Sequence, residues 1–201
     1  PYDPAKMGTG GRFLPPSGDF FLGTDEFGRD MLSRILYGSR ITLLIGAVAV
    51  GISMTMGMLV GMLAAFRRGW LETILMRSTD VLFSFTETLI ALSFVAVLGP
   101  SLQNAVIAVG VAGIPFYART CYSAALVETS KPYFEASISA GAGPGRLLFF
   151  HLMPNVLPTM IVVATLGVST AILAAAGLSF LGLGAQPPTS EWGYMLAGSR
   201  D

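Results

Sequence analysis

Charged side chains are absent from three long stretches of this 201-residue chain. Ile41 to Phe66 is a run of 26 uncharged residues, and 31 more separate Glu87 from Arg119. Between Arg146 and Glu191 lie 44, punctuated by Pro154, Pro158 and Gln186-Pro187-Pro188. A bilayer core of about 30 Å takes roughly 20 helical residues to cross. The pattern therefore predicts spans near 41–66, 80–98, 102–118 and 156–178, the second and third meeting in a tight hairpin at Gly99-Pro100-Ser101. A soluble core would need helices apolar all round in a chain too small to wrap them in polar layers. The expected fold is an all-α membrane protein, a polytopic helical bundle forming one domain over 1–201.

The first span carries small residues at four-residue spacing: Ala49, Ser53, Gly57, Gly61 and Ala65. In lipid such a stripe lets two helix backbones approach closely, because apolar burial alone gives a helix no preference for protein over lipid. Packing against a neighbouring span is expected, with Met54, Met56, Met58 and Met62 as adaptable filler. Before this span, Thr24 reads as an N-cap with Asp25 and Glu26 in the first turn. Phe27, Met31, Leu32, Ile35 and Leu36 then recur at helical spacing, with Arg29, Arg34 and Arg40 on the more polar positions. That predicts a loop plus an interfacial amphipathic helix over 1–40. EF-hand spacing is absent from the acids there.

Composition narrows the chemistry. Charged residues make up 12% of the chain, about half the usual share in soluble domains, and twelve basic residues balance twelve acidic ones. This balance leaves no footprint for nucleic acid. One Cys and one His are too few for a Cys/His zinc site, and no metal or other cofactor is expected in this chain. No G-x-x-x-x-G-K-[ST] occurs, so nucleotide hydrolysis is not expected here. Glu87 is the single carboxylate inside a predicted span and is a candidate pathway contact, with a snorkelling position near the membrane boundary as the alternative. Arg67, Arg68 and Trp70 mark such a boundary, and Arg77 and Asp80 are spaced to pair.

The stretch 119–155 is the most informative loop. Pro132 suits a first helical turn and Gly141 a position just past the last, predicting a helix of about two and a half turns. Its small Ala136, Ser137 and Ala140 would let another protein approach the backbone. Lys and Arg divide equally between the two predicted sides, so charge bias assigns no orientation.

Glu135-Ala136-Ser137, then Gly141, then His151-Leu152-Met153-Pro154-Asn155, resembles the EAA loop of ABC importer permeases, in the form seen in the peptide and nickel branch. Leu22-Gly23-Thr24-Asp25, Gly28-Arg29-Asp30, Met76-Arg77-Ser78-Thr79-Asp80 and the stretch from Leu178 to Gly193 are similar to further segments of that branch. The resemblance implies six spans in a whole protein, about four of them here, with this piece cut short at both ends. It implies a multi-pass subunit of a bacterial or archaeal cytoplasmic membrane, with 1–40 and 179–201 extracytoplasmic and 119–155 a cytoplasmic coupling loop. Tyr133, Glu135, Ala136, Ser137, Gly141 and Pro154 would carry the contact with the ATPase. Implied partners are two cytoplasmic ATP-binding subunits, a homologous second permease, an extracytoplasmic solute-binding protein and the lipid bilayer. The implied cargo is a dipeptide or oligopeptide, with nickel complexes or glutathione as alternatives; a secondary transporter is the rival mechanism, for which a paired intramembrane ionisable site or inverted repeats would be expected. Two departures stand out. Thr86-Glu87 replaces the Pro expected after the Met-Arg-x-x-Asp turn, which puts its kink in question. Gly143-Pro144-Gly145 predicts a sharp end to the coupling helix.

Overall fold

Asp30 opens the first helix. Its carboxylate accepts from the Ser33 amide at 3.0 Å, and the chain then runs without a break through α1, Met31–Phe66. At 1.5 Å per residue this helix is about 54 Å long, well beyond a bilayer core. The computed structural model describes residues 2–4 and 6–199; Pro1, and Arg200 and Asp201 of the predicted 179–201 loop, lie outside them. The remaining helices are α2 (Trp70–Phe83), α3 (Glu87–Leu98), α4 (Leu102–Ala112), α5 (Ile114–Thr129), α6 (Pro132–Ser139), α7 (Pro144–Arg146), α8 (Met153–Phe180) and α9 (Trp192–Gly198). A π-helical turn, Leu147–Leu152, joins α7 to α8. Among the described residues, three helical segments are long and apolar enough to cross a membrane, Met31–Phe66, Leu102–Thr129 and Pro144–Phe180. A fourth crossing exists if the bent pair α2–α3 counts as one span.

The bundle forms around α1. Its small-residue stripe faces α4 and α5, which run alongside it in the same direction: Gly110 sits against Ile52 and Ala49, Gly57 against Tyr117 and Ala118, and Gly61 against Ala118 and Cys121. α8 runs the opposite way, with Ile172 and Val168 over Gly46. Met58 and Met62 are buried in this core, while Leu44, Val97, Leu166 and Leu173 point outward, as a lipid-facing surface requires.

Four expectations need correction. The segment 25–30 is a turn rather than the start of an amphipathic helix. Thr24 pairs with Asp30 in an isolated bridge, and Gly28 adopts φ +69°. Asp25 uses its carboxylate locally, accepting from the Phe27 and Arg29 amides at 2.9 Å each, as Asp commonly does in turns. It also pairs with Arg29 at 2.7 Å and with Arg34, so both arginines are buried instead of lying on a polar face. Second, the predicted span 80–98 is broken: α2 and α3 meet at 89°. The bend needs no proline. Ser84 folds back on the Asp80 carbonyl through both its amide and its hydroxyl, and an extended Thr86 starts α3 afresh. Third, Asp80 pairs with Arg119 of α5 at 2.5 Å rather than with Arg77. The helix predicted to stop at 118 accordingly continues to Thr129, so the connecting loop begins at 130 instead of 119. Fourth, α6 does end sharply, but at Ser139 and ahead of Gly143, and Pro144 opens a further helix with Gly143 as its N-cap.

The Asp25 clasp has a measurable consequence. Burial opposes its ionisation, but hydrogen bonds from the Arg29 amide and side chain and from the Phe27 amide, with the Arg29 charge, hold the carboxyl below its usual value. A depressed folded value means the stabilisation is complete above the ordinary carboxyl range and is lost as pH falls through the folded one. Asp25→Asn leaves two buried guanidinium groups without their counter-charge, which costs about 3 kcal/mol. The full-length protein should then unfold several degrees lower in detergent, and its melting should lose the acid-sensitive component below about pH 4. An unchanged melting curve would mean that solvent already screens the arginines.

Candidate functional site

At the end of α5 the chain turns into α6 through Ser130 and Lys131. Lys131 is extended, and Pro132 takes the first helical position, where its missing N–H costs nothing. A helix of eight residues is too short to persist alone, so its packing must hold it. Two anchors do so. Phe134 is buried against the bundle with its ring edge-on to Tyr133, the centroids 6.4 Å apart. Glu128 at the end of α5 receives Lys131 Nζ at 2.6 Å on one oxygen and the Tyr133 hydroxyl at 2.9 Å on the other. Burial, that hydrogen bond and the carboxylate charge push the Tyr133 phenol up to about 12, so it remains a donor at any physiological pH.

The C-terminal end of α6 is closed by a paired motif. The Gly141 amide donates to the Ile138 carbonyl at 2.9 Å and the Ala142 amide to the Ser137 carbonyl at 3.1 Å. Gly141 has φ +80°, the left-handed conformation that this 6→1, 5→2 closure needs. Ser137 and Ser139 turn their hydroxyls back onto the Tyr133 and Glu135 carbonyls. The surface that remains, through Glu135, Ala136, Ile138 and Ala140, is exposed, shallow and poor in free donors.

The structure brings Tyr133, Glu135, Ala136, Ser137 and Gly141 onto this one helix and its end. Pro154 is separate, exposed in the first turn of α8 beyond the π turn. Ser53, Gly57 and Gly61 lie inside the bundle, where the Ser53 hydroxyl reaches the Gly110 carbonyl at 2.6 Å. Glu87 begins α3 and lines a cavity of about 190 Å³ with Tyr117 and Thr170. Phe134 and Glu128 are anchors that the residue pattern alone does not single out. The three-residue spacing of Glu128 and Lys131 was a usable signal; nothing in the spacing distinguished Phe134 from Tyr133.

At the other end of the bundle, α9 is held by Glu191. This fully buried residue caps its own helix by accepting from the Gly193 and Tyr194 amides at 2.9 Å each. Trp192 Nε1 donates to the Ile35 carbonyl of α1 at 3.1 Å, tying this end to the Asp25 clasp.

Residues 57–199 match the family model described as "Binding-protein-dependent transport system inner membrane component". The chain is 46% identical over its whole length to the di/tripeptide transport system permease protein DppC of Pseudomonas aeruginosa (strain UCBPP-PA14), covering 68% of that protein. It is 41% identical over 98% of its length to the dipeptide transport system permease protein DppC of Alkalihalophilus pseudofirmus, covering 64% of it. The chain thus spans about two thirds of these relatives. Among solved structures, an inward-facing form of the MetNI methionine ABC transporter superposes with a TM-score of 0.69 at 22% identity, over 84% of this chain and 87% of that one. At that identity the likeness speaks for the fold.

Proposed function

Because the chain belongs to the family of binding-protein-dependent transport system inner membrane components, a group of multi-pass membrane proteins, we propose that it is a permease subunit of an ATP-driven peptide importer. In this reading α6 faces the cytoplasm and docks on one of two ATP-binding subunits. The opposite end, with the Asp25 clasp and α9, faces outward and receives a solute-binding protein. A second, related permease completes the path, and closure of the ATPase pair rocks the helices around it. The cargo class is dipeptides and short oligopeptides; the two relatives' names specify di/tripeptides for one and dipeptides for the other.

One observation carries the reading: a short helix at a bundle end, exposed along its small-residue face, anchored by Phe134 and Glu128, and closed by Gly141. Such a helix transmits displacement from a partner into α5 and α8 because its own fixed points lie on or beside them. The test is purification of the full-length protein from its source. An ATPase and a sister permease should co-purify, and vesicles holding that complex should take up dialanine only with ATP and the solute-binding protein. Uptake by the isolated polypeptide without ATP would overturn the proposal.

A further inference from the structure

We propose that the cavity under Glu87 is a site for a protonated primary amine. It lies between α1, α3, α4, α5 and α8, and its volume of about 190 Å³ suits an amine-bearing fragment and not a whole tripeptide. Its polar lining comes from Glu87, Ser53, Tyr117 and Thr170, set among apolar walls that include Val50 and Phe116.

The donor and acceptor inventory of this lining is unbalanced. A hydroxyl has one proton to give and two lone pairs. Ser53 commits its proton to the backbone, to Gly110 at 2.6 Å or Ala49 at 3.0 Å. Thr170 commits its own to the Gly167 carbonyl at 2.9 Å. Both therefore face the cavity as acceptors, and Glu87 adds a carboxylate. The Tyr117 hydroxyl is buried, with the residue only 4% exposed, and has no hydrogen-bond partner among the described residues. It sits hard against Gly167, where any Cβ would displace it. A buried, unpaired hydroxyl costs about 1–3 kcal/mol unless something fills its valence. Among the described residues no Lys, Arg or His lines the cavity to neutralise Glu87.

An alkylammonium supplies what is missing: one positive charge, three N–H donors and no acceptor. The carboxylate, the Tyr117 oxygen and one of the two committed hydroxyls can take the three protons. The Phe116 ring and valine walls suit the attached carbon, with a cation–π contribution. Glu87 repels an anion, which would find a single uncommitted donor, the Tyr117 hydroxyl. Under the importer reading, on which this identification of the ligand rests, the amine is the N-terminal ammonium of a peptide in transit. The site then favours cargo with a free amino terminus, apart from any choice made by the solute-binding protein.

The test uses the full-length permease complex with its ATPases, purified without the solute-binding protein. Calorimetric titration should show L-alaninamide and dialanine binding, and N-acetyl-dialanine not binding. Glu87→Gln should weaken both amines at least tenfold and Tyr117→Phe several-fold, with no fall in the thermal midpoint of either variant. Equal binding of the acetylated peptide, competition by sodium chloride at matched concentration, unaltered affinity in Glu87→Gln, or no amine binding by the unmodified complex would each overturn the site. Dialanine uptake separates the two claims. Uptake without amine binding retains the importer and rejects the cavity; alaninamide binding lost in Glu87→Gln without any uptake does the reverse.

Discussion

Replacing Gly57 and Gly61 together by leucine abolishes accumulation of the folded protein in the membrane. A Cβ on Gly57 would stand 2.5 Å from Tyr117 Cβ and 2.8 Å from the Ala118 amide nitrogen. One on Gly61 would stand 2.5 Å from the Ala118 carbonyl oxygen and 2.8 Å from both Cys121 Cβ and the Tyr122 nitrogen. These neighbours are backbone atoms and Cβ positions, so no rotamer change relieves the clash and α5 must move bodily away from α1. Passed through Gly113 into α4, that movement stretches the Ser53 contact to Gly110 and opens the seam the other helices pack around. In water a hydrophobic effect would hold the parted helices together; in lipid the newly exposed apolar surface is solvated equally well, so the separation is uncompensated. Membrane levels and the detergent melting curve of the full-length protein measure the outcome. Gly51→Leu is the control, since a Cβ there meets nothing within 4 Å. Normal levels of the double variant would mean that α1 and α5 tolerate separation.

The two kinds of feature in this molecule differ in how far the chain announces them. Elements set by solvent choice or by one residue's backbone were legible: the uncharged run through α1, the small-residue stripe, and the helix bounded by Pro132 and Gly141. Features set by a partner far along the chain were not. Asp25 and Glu26 have the composition of a helix start, and only the fold shows that Arg34 draws Asp25 away from that role. Asp80 lies three residues from Arg77 yet pairs 39 positions away with Arg119, because α2 lies across α5 and Arg77 points outward. α5 also continues past its first charge, because a charge bounds an apolar span and not a helix, and Arg119 reaches Asp80 from within α5. The break at Ser84–Thr86 shows a third case. Proline is a sufficient cause of a kink, but a Ser/Thr pair that bonds to the backbone can also end one helix and start another. The amine cavity follows the same pattern: Glu87 was visible as an outlier, while its meaning depends on Tyr117 and Thr170, which sequence distance hides.

Gly141→Val should uncouple ATP hydrolysis from peptide uptake while leaving the protein folded and inserted. A Cβ at this position would meet nothing within 4 Å, so the substitution creates no internal clash and the bundle is unaffected. The cost is in the backbone. Gly141 holds φ +80°, and a side chain in the left-handed region is strained by about 1–2 kcal/mol, more for a β-branched one. The strain is relieved by giving up the closing bonds to Ile138 and Ser137, which frees the last turn of α6. Since α6 has only eight residues and two anchors near its start, losing its C-terminal closure leaves the docking face without a fixed shape. A penalty of that size shifts the population of the closed helix end by roughly tenfold, and dipeptide uptake should fall by at least that factor. ATP hydrolysis by the partner subunits should continue, no longer converted into transport. Gly141→Asn distinguishes backbone strain from bulk, because Asn tolerates the left-handed conformation while adding comparable volume. Uptake retained in Asn and lost in Val assigns the effect to the backbone; loss in both assigns it to the space the partner needs. Full uptake with Val at 141 would remove α6 from the coupling route.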